Sequence, residues 1–126
     1  MGGEQVAAMR PGIAQVLEAS SGGATWCATF EVTGDPARWI QVMPDTLNIP
    51  YPFVESPLEL PVVRDHADLR NLELREWEPH AFATFEIPPG ATAAQIASLA
   101  DTLLRAILGC EGYGVDVAVE KLADPE

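Results

Sequence analysis

Two hydrophobic repeats divide the chain. In "ATWCATFEV", Trp26, Ala28, Phe30 and Val32 alternate with Thr25, Cys27, Thr29 and Glu31, the period of two expected of a half-buried strand. "RWIQVM" follows the turn-forming "GDPA", so residues 24–43 are predicted to form an antiparallel hairpin. "HAFATFEI" predicts another strand, closed by the breaker "PPG". "YGVDVAVEKL" predicts a last one, with Val115, Val117 and Val119 opposite Asp116, Ala118 and Glu120.

The longer repeat marks two helices. Val6, Met9, Ile13, Val16 and Leu17 share one helical face, but Pro11 interrupts it. The helix is therefore expected either to kink there or to begin at about Pro11, with residues 12–19 its firmest part, ending at "SSGG". A second helix is predicted over 92–108. Thr92 and Gln95 form a capping box, Ile96, Leu99, Ala100, Leu103, Leu104 and Ile107 make a continuous stripe, and Gly109 ends it. Its opposite face, Ala94, Ala97, Ser98, Asp101 and Arg105, holds mostly small residues. That face fits close approach of a second copy or a partner, with Ala97 and Asp101 at its centre, or is simply an alanine-rich surface.

"QVMPDTLNIPYPFVESPLELP" interrupts both repeats with Pro44, Pro50, Pro52, Pro57 and Pro61. Proline fixes φ and pushes the preceding residue toward extended geometry, so residues 44–61 are expected to run over the surface as polyproline-like chain. Leu47, Ile49, Tyr51, Phe53, Val54, Leu58 and Leu60 give it too much apolar surface for a solvated linker. Either it seals an edge or face of its own sheet, or Tyr51 and Phe53, with Leu47 and Ile49 beside them, line a groove for a peptide or second subunit. A buried tyrosine hydroxyl needs a partner, so Phe53 is expected to be structural and Tyr51 accessible.

The order α-β-β-(Pro-rich extended segment)-β-α-β offers too few strand-helix-strand crossovers for a doubly wound fold. It predicts an α+β domain over residues 1–126, an antiparallel sheet with helices packed on one face. Charge then limits the partners. The net charge is −12, and the seven basic residues are scattered from Arg10 to Lys121 without a basic stripe, so no nucleic acid is expected to bind. The longest apolar run is broken by Ser98, Asp101 and Arg105, so no membrane span is expected. "MGGEQVAAMRPG" lacks the positive start and apolar core of a secretory signal, so a cytoplasmic location is expected. Cys27 and Cys110 are too few and too far apart for a disulfide framework or a zinc site, and are read as reduced thiols.

Candidate chemistry is sparse. Asp65, His66 and Asp68 in "RDHAD" have no second ligand cluster and read as a solvated turn. His80 has no Ser or Cys partner at a recognisable spacing, and Cys27 would be a nucleophile only with a histidine brought to it. Glu73, Glu76 and Glu78 beside Trp77 read as a solvated edge. No enzyme activity, cofactor or metal is expected.

"GGATWCATFEV", "WIQVM", a variable middle, "REW" before a strand, and the closing "QIASLADTLLRAILGC" with a terminal strand together resemble the type III secretion chaperone and YbjN-like superfamily. The likeness covers most of the chain and lies in element order and pattern; the prolines of 44–61 stand where many members place a helix. It implies a compact α+β domain, often dimeric, that holds extended segments of client proteins without catalytic residues. The function expected is a non-catalytic protein- or peptide-binding module, homodimeric, with Leu47, Ile49, Tyr51, Phe53, Ala97 and Asp101 as contact residues. The alternative is an acidic immunity or inhibitor protein. Between residues 55 and 86, eight acids (Glu55, Glu59, Asp65, Asp68, Glu73, Glu76, Glu78, Glu86) face three arginines (Arg64, Arg70, Arg75), a charge balance suited to neutralising a basic partner.

Overall fold

The computed structural model describes residues 3–69 and 72–123. The first helix, α1 (Gly3–Ser20), continues on both sides of Pro11 and does not begin there. A proline inside a helix costs about 3 kcal/mol. Here Met9 before it and Ile13 and Val16 after it are fully buried, so packing on the sheet holds both halves to one axis.

Strands β1 (Thr25–Val32) and β2 (Asp35–Val42) form the expected hairpin, but its turn is tighter than "GDPA" suggested. Val32 pairs with Asp35 across Thr33 and Gly34, and Gly34 has a φ of 80°, a conformation open to glycine. The next pair is Glu31 with Trp39, so Pro36, Ala37 and Arg38 bulge out of the ladder.

The proline segment departs most from expectation. Its first part is strand β3 (Thr46–Pro50), paired with β2 on one side and with a later strand, β5 (Phe82–Glu86), on the other. Far from running over the surface, Leu47 and Ile49 are fully buried in the middle of the sheet. The reason is local: Thr46 to Ile49 contain no proline, so every N–H there remains available, and Pro50 stands at the strand's end, where its missing donor is tolerated. Further on, the prolines start helical turns. Pro57 opens a 3-10 turn (Pro57–Glu59) and Pro61 opens the short helix α2 (Pro61–Arg64), each at the first turn, where the missing N–H has no intrahelical partner.

A strand that the hydrophobic pattern concealed, β4 (Glu73–Glu78), pairs with β5. Its register shifts between Leu74 and Glu76. This bulge lets Leu74 and Trp77, three residues apart, both pack toward the core, which a regular strand forbids. Helix α3 (Ala93–Leu108) is as predicted, with Thr92 and Gln95 closing a reciprocal capping box and Gly109 at φ 69° ending it. The last strand, β6 (Val115–Ala123), returns to pair with β1.

The result is a six-stranded antiparallel sheet in the order β4-β5-β3-β2-β1-β6, an α+β architecture. Ala28, Phe30, Ile40, Val42, Leu47, Ile49, Ala83 and Phe85 project from one face into a single apolar cluster with α1 and α3. On the opposite face a polar row crosses four strands: Gln41 reaches Thr29, Asn48 reaches Gln41, and Thr84 donates to Asn48.

Candidate partner-binding surface

The residues expected to meet a partner are largely enclosed. Leu47, Ile49 and Ala97 are fully buried, and Asp101 is buried as well. Tyr51 is only 1% exposed, and its ring packs edge-on against Phe53 (centroids 5.6 Å apart) and Trp77 (5.7 Å). Its hydroxyl donates to the Glu55 carbonyl. Burial first, then the carboxylates of Glu55 and Glu59, push its pKa up to about 12. Half of the expectation is overturned: Tyr51 is structural, because its own loop supplies the acceptor its hydroxyl needs, while Phe53, partly buried, packs against the core as expected.

The small-residue face of α3 turns inward at Ala97 and Asp101, while Ser98 stays exposed. Arg105 binds Asp101 with both carboxylate oxygens 3.0 Å away, and its Nη2 donates to Gln5 Oε1 on α1 at 3.2 Å. Gln5 Nε2 donates to the Tyr113 carbonyl at 2.8 Å, and the Tyr113 hydroxyl donates to Asp101 at 2.5 Å. The Arg105 guanidinium also lies 5.6 Å from the centre of the Tyr113 ring. Burial, with Asp101 beside it, holds the Tyr113 hydroxyl well above its ordinary pKa. Small residues do allow close approach, but the neighbour they admit is α1 of the same chain. Among the described residues no buried side-chain polar atom lacks a partner, so this cluster is a closed pin joining α1, α3 and the loop before β6.

The other candidate groups are dispersed. Burial raises the pKa of both Cys27 and Cys110, so neither is an activated thiolate. His66 Nδ1 accepts the Asp68 backbone N–H at 3.1 Å, which closes a turn, and among the described residues no group of three or more His, Cys, Asp or Glu is arranged to hold a metal. His80, at φ 58° in the β4–β5 turn, donates its backbone N–H to Phe53 O at 3.2 Å. Among the described residues no helix is long and apolar enough to cross a membrane.

What the sequence reading missed lies on the outside of the same proline segment. Val54 is 58% exposed, Leu58 40% and Val62 49%. Beside Val62, with His66, Thr102, Arg105 and Ala106, a hollow of about 340 Å³ opens against α3. Glu55, Glu59, Asp65 and Asp68, all exposed, lie along and just after the same segment. No periodicity could have found the three apolar groups, because Val54 lies outside any helix, Leu58 in the 3-10 turn and Val62 in α2, with Leu60 extended between the last two. No protein-family model, curated protein or solved structure matches the chain.

Proposed function

We propose that the chain is a non-catalytic module that binds a protein or an extended peptide segment, in the manner of the secretion chaperones its sequence resembles, and that it acts as a cytoplasmic homodimer. One observation supports this reading above the rest. Among the described residues, three of the five exposed large apolar side chains, Val54, Leu58 and Val62, fall on one short stretch of sequence, and Val62 lines the hollow at α3. Apolar groups held in water gain free energy when a partner covers them, and their clustering is the usual mark of an interaction surface.

A photo-crosslinking residue at position 58, used in the source cells, would identify the partner, and the purified pair would then be reconstituted. The double change Leu58→Ser and Val62→Ser is expected to weaken that complex about tenfold or more while moving stability by no more than about 0.5 kcal/mol, as surface changes do. Unchanged affinity would overturn the reading. The second reading, an acidic inhibitor of a basic partner, is favoured by the exposed carboxylates along and just after the same segment. It predicts an association rate that falls steeply with ionic strength, whereas contact dominated by the apolar side chains predicts a rate nearly indifferent to salt.

A further inference from the structure

We infer that two copies of the chain join through the free edge of β6, pairing antiparallel about a twofold axis at Val117, so that the two sheets become one. The inference takes the homodimeric state from the proposed function and adds its interface.

The two edges of the sheet are built differently. Edge strand β4 is short, carries a bulge at its centre, and exposes Glu73, Glu76 and Glu78, all devices that discourage pairing with another strand. Edge strand β6 is longer, and its exposed charges, Asp116, Glu120 and Lys121, leave Val117, Ala118 and Val119 an uncharged run between them. Its register with β1 runs unbroken from Val115 opposite Val32 to Lys121 opposite Trp26, and it exposes Val117 (47%) and Leu122 (53%). These are the remaining two of the five exposed large apolar side chains among the described residues.

Symmetry then selects the register. An antiparallel pair of identical edges requires a twofold axis perpendicular to the sheet, which keeps the helix-facing side chains of both copies on one side. Val115, Val117 and Val119 face that way, opposite Val32, Phe30 and Ala28 of β1. With the axis at Val117, that residue meets its own copy, Val115 meets Val119, and Asp116 meets Ala118. Moving the axis to Ala118 sets Asp116 opposite Glu120 twice over, a like-charge pairing that disfavours the register. Moving it to Val119 sets Val117 opposite Lys121 and breaks the valine row.

A strand pair alone buries little, and specific interfaces cover about 1,200 Å² or more, so α1 must take part. It packs on both β1 and β6. Gly12 permits this close seat, since a Cβ there would stand 3.2 Å from Val117 and 3.3 Å from Phe30. With strands about 4.8 Å apart, a helix seated over β1 and β6 lies about 10 Å from its symmetry mate, near the usual helix-packing distance. The flank of α1 next to Gly12 carries Ala8, Pro11 and Gln15, exposed and uncharged, with the exposed Glu4 and Glu18 confined to its two ends, so the centre of that approach is free of charge in a chain of net charge −12.

The test uses the full chain. Sedimentation equilibrium from low to high micromolar concentration is expected to show a monomer–dimer equilibrium that Val117→Lys weakens about tenfold or more, with the circular dichroism spectrum and melting temperature of the wild type retained. Directly opposed strand residues have Cα atoms about 4.5–5.5 Å apart, within disulfide range. Val117→Cys is therefore expected to form a covalent dimer on mild oxidation and Leu122→Cys is not, the native cysteines being buried. This crosslink decides the matter even if the lysine variant fails to fold. A monomer at every concentration would overturn both the homodimer and this interface. A dimer indifferent to Val117→Lys and unlinked by Val117→Cys would leave the homodimer standing and overturn the interface alone.

Discussion

Tyr51 and Tyr113 are the only tyrosines in the chain, and both hydroxyls are kept protonated by the same pair of causes, burial first and neighbouring acids second. An unfolded tyrosine loses its proton near pH 10. In the folded protein Tyr51 holds its proton to about 12, so above pH 10 the native state binds more protons than the unfolded one. Its contribution to stability is therefore fully present below about pH 10 and is lost as pH rises toward 12. Tyrosinate absorbance should consequently appear together with cooperative unfolding, and a normal titration of either hydroxyl in the folded protein would contradict the enclosed geometry. Tyr51→Phe is expected to cost about 1 kcal/mol at neutral pH, for the lost bond to Glu55 O, and to flatten the alkaline loss of stability. Tyr51→Ala, which empties the space between Phe53 and Trp77, is expected to cost about 3 kcal/mol or more in chemical denaturation.

Elements with an unbroken period were legible in the sequence, and the two strands that were not each hide their period for a physical reason. In β3 the prolines at 44 and 50 lie just outside the segment whose N–H groups pair, so a count of prolines condemned a stretch that carries none where it matters. In β4 the extra residue at the bulge sets Leu74 and Trp77 three apart, a spacing that fits neither a strand nor a helix. The same ambiguity misplaced the candidate site. Leu47 and Ile49 read as apolar cargo on a loop because the pattern of one segment does not reveal which neighbours will cover it, and Ala97 and Asp101 read as an outer face because α1, their partner, lies about ninety residues earlier. A test of the bulge follows. Deleting Arg75 removes the extra residue and leaves Leu74 and Trp77 two apart, both still on the core face of a regular strand. The deletion is expected to leave the β4 amides protected in hydrogen exchange and to cost no more than about 1 kcal/mol, the order of the exposed Arg75 ion pairs it removes. Loss of that protection would contradict the spacing role given to the bulge.

At the scale of the whole molecule, charge opposes both the fold and the proposed dimer and favours a basic partner. Nineteen acids against seven bases leave −12 on a chain of 126 residues, and among the described residues several ion pairs are solvent-exposed: Arg38 with Asp35, Arg64 with Asp65, and Arg75 with Asp45 and Glu86. Such pairs contribute little individually, so the excess of like charge dominates the long-range field. Raising salt shortens the Debye length from about 30 Å at 0.01 M to about 8 Å at 0.15 M, which relaxes self-repulsion over a molecule of this size. The melting temperature is therefore expected to rise with sodium chloride in this range, and the β6 dimer to tighten, because bringing two such chains together doubles the repulsion that salt removes. A basic partner held near Glu55, Glu59, Asp65 and Asp68 should respond in the opposite direction, its complex weakening over the same titration. The signs separate the two surfaces within one experiment. Sedimentation and calorimetry of the chain alone should both move up with salt, and a melting temperature that falls between 0.01 and 0.15 M would show that specific exposed pairs, and not net repulsion, govern its electrostatics.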